Sequence, residues 1–429
     1  MKHFLILLVM IGFVLTAAGS FAEEIKIVPV GDSRQDKVLK LPYAFSNESF
    51  GGAVGYVYSR VGYPQPQSTV LSTAMVGSKG SAMLFLMGRD IRIFGAERLF
   101  IDPIVSTGYF VDNNAYIDGN PDFPQERAGS HDSDKDDYVT GSGADNFVRI
   151  NFKYLLPIGH GQEQIINGYS IKDGLLTSGA TGGESWNPLT SGKTYLQLRP
   201  FYRAQKIAGD DMSFTQKTNG VDLSLLWDNR DFPVNPSRGN SLQFKGSRDF
   251  GAFDSSNSWT SYSAEMDKYF SLGASETFRQ RVIALDIWTA DSPSWDTQAD
   301  GSIENRPPAY SGATLGGLWR MRAYPSQRFS DKSAIYYGAE YRMIPQWNPF
   351  TDWPKLQKHI GVQWIQIVPF VEACRVAPSW SLDELHSGMK WDAGLGLRAM
   401  AKGLIVRLDI AGSEEGSSVQ MMVSQPFQF

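Results

Sequence analysis

From about Thr194 onward, apolar and polar residues alternate along the chain with a period of two. Between Lys390 and Met400, Trp391, Ala393, Leu395, Leu397 and Ala399 share one face, and Lys390, Asp392, Gly394, Gly396 and Arg398 share the other. After a tight Ala401-Lys402 connection, Gly403 to Ala411 repeats the pattern, with Leu404, Val406, Leu408 and Ile410 set against Arg407 and Asp409. Earlier, Val221, Leu223, Leu225 and Trp227 oppose Asp222, Ser224, Asp228 and Arg230, and Leu196, Leu198 and Tyr202 oppose Gln197, Arg199 and Arg203. A period of two is a β-strand with one apolar and one polar face.

A soluble sandwich and a membrane barrel both show this alternation. The sandwich turns its apolar faces inward, and the barrel turns them out to lipid around a polar lumen. Three features favour the barrel. Many strands run to about 10 residues, which suits a tilted span better than the usual 5–6. Aromatic residues sit at strand ends, as in Tyr269-Phe270, Tyr336-Tyr337 and Trp288, where interfacial girdles belong. The chain closes on Gln425, Pro426, Phe427, Gln428 and Phe429, a strand ending in an aromatic carboxyl-terminal residue, with Val419, Met421, Val423, Gln425, Phe427 and Phe429 on its outward face. In lipid every strand edge needs a partner, so the sheet has to close. The expected fold is all-β: a transmembrane antiparallel β-barrel of about 16 strands, an even number that brings both termini to one side. Short turns such as Ser271 to Ala274 are expected to alternate with long polar loops, the longest being Asn113 to Ser142. The direction of the chain between Pro157 and Lys193 stays ambiguous, and strands before Thr194 cannot be placed by periodicity.

Composition fits this pattern. The chain has 429 residues, 42% hydrophobic and 20% charged, with 42 Gly and 54 aromatic residues (11 Trp, 18 Tyr and 25 Phe). Its mean hydropathy of -0.25 excludes a polytopic helical membrane protein. A formal net charge of -5 argues against a nucleic-acid surface, so no nucleic-acid partner is expected. A single cysteine excludes an internal disulfide and a cysteine-based zinc site.

The amino terminus reads as a secretory signal over residues 1–22. Lys2 and His3 make a short basic start, Phe4 to Leu15 form an apolar run, and Ser20, Phe21 and Ala22 supply a cleavage site. The run is short for the roughly 30 Å of a hydrocarbon core. Residues 23–50 are expected to form a short periplasmic segment and residues 51–429 the barrel, in the outer membrane of a bacterial cell.

Enzyme and metal signals fail on inspection. Ser191, Gly192, Lys193 and Thr194 mimic the end of a phosphate-binding loop, but Asn187 stands where the first Gly is required and a strand follows. Asp132, Asp134 and Asp136 begin like a calcium loop without its Gly or closing Glu. His131, His160, His359 and His386 have no metal spacing, and no G-x-S-x-G element is present. Neither a catalytic residue, a metal site nor a cofactor is expected, and Cys374 reads as a small filler.

Four segments in the second half resemble the BamA/TamA superfamily of outer-membrane assembly and secretion barrels, the bacterial surface antigen family. Asp228, Arg230, Asp231, Pro233, Pro236 and Gly239 resemble its D-x-R-D…P…G hairpin. Gly316, Gly317, Met321, Arg322, Ala323 and Tyr324 resemble its G-G…V-R-G-F/Y loop motif, with Ala323 in place of a Gly. Phe370, Glu372 and Cys374 resemble F-x-D-x-G with two replacements. Asp392, Gly394, Gly396 and Arg398, followed by Arg407 and Asp409, resemble the hairpin G-x-G-x-R…R-x-D. Singly these motifs are weak; their order and spacing make the resemblance specific.

The resemblance implies a loop, here about Ala290 to Ser330, folded back into the lumen. Arg322 would pair there with Glu372 and, with Tyr324, latch the loop. Asp228, Arg230, Glu340, Arg342, Asp392, Arg398, Arg407 and Asp409 fall on expected lumen faces. Phe427 and Phe429 would serve as the C-terminal signal read by the barrel assembly machinery during biogenesis. The implied function is outer-membrane protein assembly or polypeptide secretion, without enzymatic activity. The family's periplasmic POTRA repeats do not fit before the first strand. A separate periplasmic POTRA or chaperone partner is therefore expected, alongside outer-membrane lipid and a polypeptide substrate. A passive or gated diffusion pore, or a structural surface antigen, is the alternative.

Overall fold

The computed structural model of the chain describes residues 37–423 apart from 48, 210–212, 300–301, 355–356 and 358–359, together with residue 426. The signal segment, residues 23–36, Gln425, Phe427 and Phe429 lie outside the described residues.

A single antiparallel sheet of seventeen strands dominates the structure, one of them only the two-residue Ile91–Arg92. The longer strands are β1 (Lys37–Asn47), β2 (Gly51–Val61), β3 (Thr69–Gly77) and β4 (Ala82–Arg89). Then come β5 (Leu99–Ala115), β6 (Val139–Leu155), β7 (Lys193–Ala208) and β8 (Ser213–Asp228). They are followed by β9 (Gly239–Phe250), β10 (Ser258–Ser271), β11 (Phe278–Asp291) and β12 (Ser333–Pro345). The last four are β13 (Val362–Ala377), β14 (Lys390–Ala401), β15 (Leu404–Ser413) and β16 (Gly416–Val423). Each pairs with its successor, from Lys37 against Val61 to Ser413 against Gly416. The first strand among the described residues therefore begins at Lys37, inside the stretch expected to be a periplasmic segment.

Side-chain packing shows how far the sheet curls. Leu404 on β15 shares one buried cluster with Leu39 and Tyr43 on β1 and with Phe85 on β4. The cluster thus joins the first strands to the next-to-last one, and the fold is a β-barrel. Main-chain pairing between β1 and β16 is not present among the described residues. No described helix is long and apolar enough to cross a membrane.

Outward positions are apolar and solvent-accessible. Leu223, Leu225, Trp391, Leu395, Leu397 and Ile410 are all exposed, while Asp222, Asp392, Arg398 and Asp409 on the opposite faces are buried. The early strands differ. On β3 and β4 the inward Leu71, Met75, Met83, Phe85 and Met87 are buried, while the outward Val76, Leu84 and Leu86 are exposed. With both faces apolar, no alternation exists to read.

Two expectations change. Trp288, Tyr269 and Tyr336 do not form an interfacial girdle: each points inward and is buried, and only the neighbouring Phe270 is exposed. Their polar tips and ring faces engage buried charge, which a lipid interface would not supply. Met421 is also buried, whereas Val419 on the same face is exposed.

Loop lengths are not segregated by side either. The even strand count puts the start of β1 and the end of β16 at one end of the barrel. The 156–192 connection between β6 and β7 lies at that same end. Its small hairpin, Ser170–Lys172 with Leu175–Ser178, packs Ile171, Leu175 and Leu176 onto Phe232, Ile344, Trp364, Met400 and Ile405. Trp364 Nε1 donates to the Gly174 carbonyl at 2.9 Å. Inward apolar residues at this end of β12–β15 need cover, and the hairpin provides it.

Candidate functional site

Between β11 and β12 the chain leaves the wall for residues 292–332, slightly beyond the expected bounds. Two short ladders stiffen this excursion, Asp296–Thr297 with Ile303–Glu304 and Ala313–Leu315 with Phe329–Asp331. Its tip is a tight turn. Gly317 N donates to the Tyr324 carbonyl at 3.1 Å and Tyr324 N to the Met321 carbonyl at 3.0 Å. Positive φ falls on Gly316 (+107°), Gly317 (+105°) and Met321 (+59°). Ala323 carries no such angle, so replacing the family's Gly there costs no backbone strain.

This turn drives Arg322 into the barrel, where it is fully buried. Its backbone N–H donates to Glu372 Oε2 at 2.7 Å and its Nε to Glu372 Oε1 at 3.2 Å. Nη1 reaches Glu340 Oε1 at 2.9 Å and Asp409 Oδ2 at 3.3 Å. The guanidinium also lies over the Phe370 ring, 3.4 Å from its centroid. One arginine thus binds acids from three strands, β12, β13 and β15. Alternation aims all three inward: Glu340 is 2% exposed, Glu372 1% and Asp409 1%.

Further donors complete the network. Tyr336 OH donates to Glu372 Oε1, and Ala323 N donates to Asp392 Oδ2 at 2.9 Å. Arg398 and Arg342 donate to the two oxygens of Glu340 at 2.6 and 2.8 Å. Arg407 donates to Asp409 at 2.9 Å and to the Leu318 carbonyl. Tyr324 OH donates to the Trp391 carbonyl at 3.1 Å. On β16, Ser418 and Gln420 both donate to the Arg322 carbonyl, tying the tip to the last strand.

Arg322, Tyr324, Glu372, Asp392, Arg398, Arg407 and Asp409 therefore converge on one site. Asp228 and Arg230 do not join it. They form a bidentate pair with each other at 2.8 Å, where β8 meets the 229–238 turn. Asp231 holds that turn, accepting from the backbone N–H of Phe232 and Ser237 and from the Ser237 hydroxyl. Sequence reasoning missed Arg320 and Arg328. Arg320 meets Glu265 at 2.6 Å and lies over Trp288, and Arg328 donates to Glu415, Ser133 and the Ser133 carbonyl. Both sit in irregular loop, where no period marks direction.

The remaining candidates lie elsewhere. Asp132, Asp134 and Asp136 are exposed, and Asp136 pairs with Lys135. His131 Nε2 donates to the Gly388 carbonyl, His160 meets Glu184, His386 meets the Tyr337 hydroxyl, and His359 lies outside the described residues. Cys374 is a buried free thiol among Tyr336, Phe370 and Val376.

The Omp85 superfamily domain model matches residues 105–418. The chain belongs to the Omp85 superfamily. Membership agrees with the motif resemblance and places the barrel among outer-membrane proteins. Among solved structures, CdiB from Escherichia coli superimposes with a TM-score of 0.55 at 11% identity, covering 94% of this chain and 67% of that one. CdiB from Acinetobacter baumannii gives 0.50 at 9% identity, with coverage of 93% and 64%. BamA from Haemophilus ducreyi lacking POTRA domains 1–3 gives 0.48 at 10% identity, with 94% and 75%. The two CdiB structures share the fold at identities too low to carry a role across. No curated protein matches the sequence.

Proposed function

We propose that this Omp85 protein is a non-enzymatic factor for outer-membrane protein assembly or polypeptide secretion, its lumen held shut by the 292–332 loop. The end bearing the termini faces the periplasm. There a separate POTRA or chaperone partner delivers substrate, and Phe427 and Phe429 present the chain to the assembly machinery.

One observation carries this reading: Arg322 draws the loop onto β12, β13 and β15 at once. A buried arginine shared by three carboxylates is costly to break, because removing one partner strands charge away from water. Arg322, Glu372 and Tyr324 act as a latch, and opening requires their concerted release. The seam lies between the first and last strands, β1 and β16, which show no main-chain pairing among the described residues.

Single-channel recording of the folded protein tests the plug. Wild type is expected to show small, flickering conductance, rising when residues 292–332 are replaced by a short linker. Large, steady wild-type conductance would refute the plug. A gated diffusion pore is the second reading, favoured by a polar cavity of about 180 Å³ lined by Arg149, Arg199, Lys245 and Glu265. Photo-crosslinking in cells from Val419, near the seam, separates the two. Adducts with unfolded outer-membrane polypeptides support assembly or secretion; their absence favours the pore.

A further inference from the structure

Away from the Arg322 network, β10 and β11 bring three acids together inside the barrel. Glu265 and Asp267 lie two residues apart on β10 and therefore share its inward face. Asp286 on β11 stands directly opposite Asp267 in the ladder. One carboxylate oxygen from each lies within 4.8 Å of the others. Glu265 is 8% exposed, Asp267 0% and Asp286 2%.

Glu265 and Asp267 are both engaged by neighbours. Arg320 answers Glu265 at 2.6 Å, and the Ser241 hydroxyl donates to Asp267 Oδ2 at 2.8 Å. The other nearby arginines, Arg230 and Arg342, are engaged with Asp228 and Glu340. Asp286 receives no hydrogen bond and forms no ion pair among the described residues. It is a buried carboxylate aimed at two others, and like charges directly opposed across a ladder repel. Burial of an unpartnered charge is unfavourable unless a cation compensates it.

We propose that Glu265, Asp267 and Asp286 form a lumenal site for a hard divalent cation, Ca²⁺ or Mg²⁺. An all-oxygen carboxylate set suits these ions rather than softer metals. Three oxygens within 4.8 Å of one another have a common centre no more than about 2.8 Å from each, a small contraction away from the 2.3–2.6 Å typical of Ca²⁺. Access comes through the polar cavity of about 180 Å³, which Glu265, Trp288 and Arg320 line. The cation would tie β10 to β11 and, through Glu265 and Arg320, to the loop that bears Arg322. The assignment is independent of the transport reading.

Terbium luminescence on the full-length, detergent-folded protein tests it. Trp288 lies opposite Glu265 in the ladder and is placed to sensitise bound Tb³⁺. Expected is a saturable signal from one site, displaced by Ca²⁺, together with a rise in thermal midpoint on adding Ca²⁺ to EDTA-treated protein. Asp286→Asn should abolish both responses. The exposed loop acids are controlled by a variant with Asp132→Asn, Asp134→Asn and Asp136→Asn, which should keep them. Absence of both responses in this loop variant, whose lumen is intact, would overturn the site whether or not Asp286→Asn folds. So would retention of both in folded Asp286→Asn, since the acids would then be compensated by shared protons.

Discussion

Glu372 accepts two hydrogen bonds from Arg322, one from its backbone amide at 2.7 Å and one from Nε at 3.2 Å. The backbone bond fixes where the loop tip sits, and the side-chain bond fixes how the guanidinium points. Glu340 and Asp409 then find Nη1 already in place.

Arg322→Ala should therefore do more than remove one pair. It leaves three acids facing one another with fewer compensating donors, and removal of a buried partner costs about 3–5 kcal/mol. A lowered thermal midpoint in detergent, read by circular dichroism, checks this. Glu372→Gln should cost less, because Arg322 keeps Glu340 and Asp409. Exchange of the charges, Arg322→Glu with Glu372→Arg, should fail to rescue assembly, since it sets a new acid against those two.

The tip also depends on glycine geometry. At Gly316 φ is +107°, and a Cβ would collide with the Pro325 carbonyl oxygen. Gly316→Ala should destabilise the tip by about 1–3 kcal/mol from backbone strain alone. Gly412, which has open space beside it, should accept Ala with little change. Protease sensitivity of residues 292–332 compares the two variants.

At the opposite end from the termini, His131 packs beside Phe329 and meets the Gly388 carbonyl at 2.8 Å. Burial holds its pKa below the usual histidine value; Arg375 and Lys390 also lower it, while the Gly388 contact and Asp132 oppose the shift. A folded pKa below the unfolded one means protons bind the open loop better. The contribution is fully present above about pH 6.5 and is lost as pH falls toward the folded pKa. Hydrogen-exchange protection factors of residues 116–138, taken relative to the intrinsic rate at each pH, should fall between pH 7.5 and 5. His131→Asn should flatten that dependence.

Cover over the terminal mouth rests on Trp364, which is 1% exposed. Trp364→Ala should cost about 3–5 kcal/mol and release the 170–178 hairpin. Cysteine accessibility at Leu176 should then increase. Gly174 has φ +77°, and a Cβ there would lie 2.6 Å from Trp364 Cδ1, so Gly174→Ala should shift accessibility in the same direction.

Sequence alone determined the architecture of the second half. Alternation along β8 and β14 set which residues meet lipid and which meet the lumen, because a pleated strand has no other periodicity. It aimed Glu340, Glu372, Asp392 and Asp409 inward, and the motif order marked Arg322 as the residue that meets them. Tertiary structure decided the rest. β3 and β4 were illegible because apolar residues line both of their faces, a condition set by how the barrel fills its own interior. Arg322 sharing three acids, Arg328 reaching Ser133, and Asp286 facing Asp267 depend on where an irregular loop lands and on strand register. Local chemistry gives each strand its faces. Only closure of the sheet determines which faces look at one another.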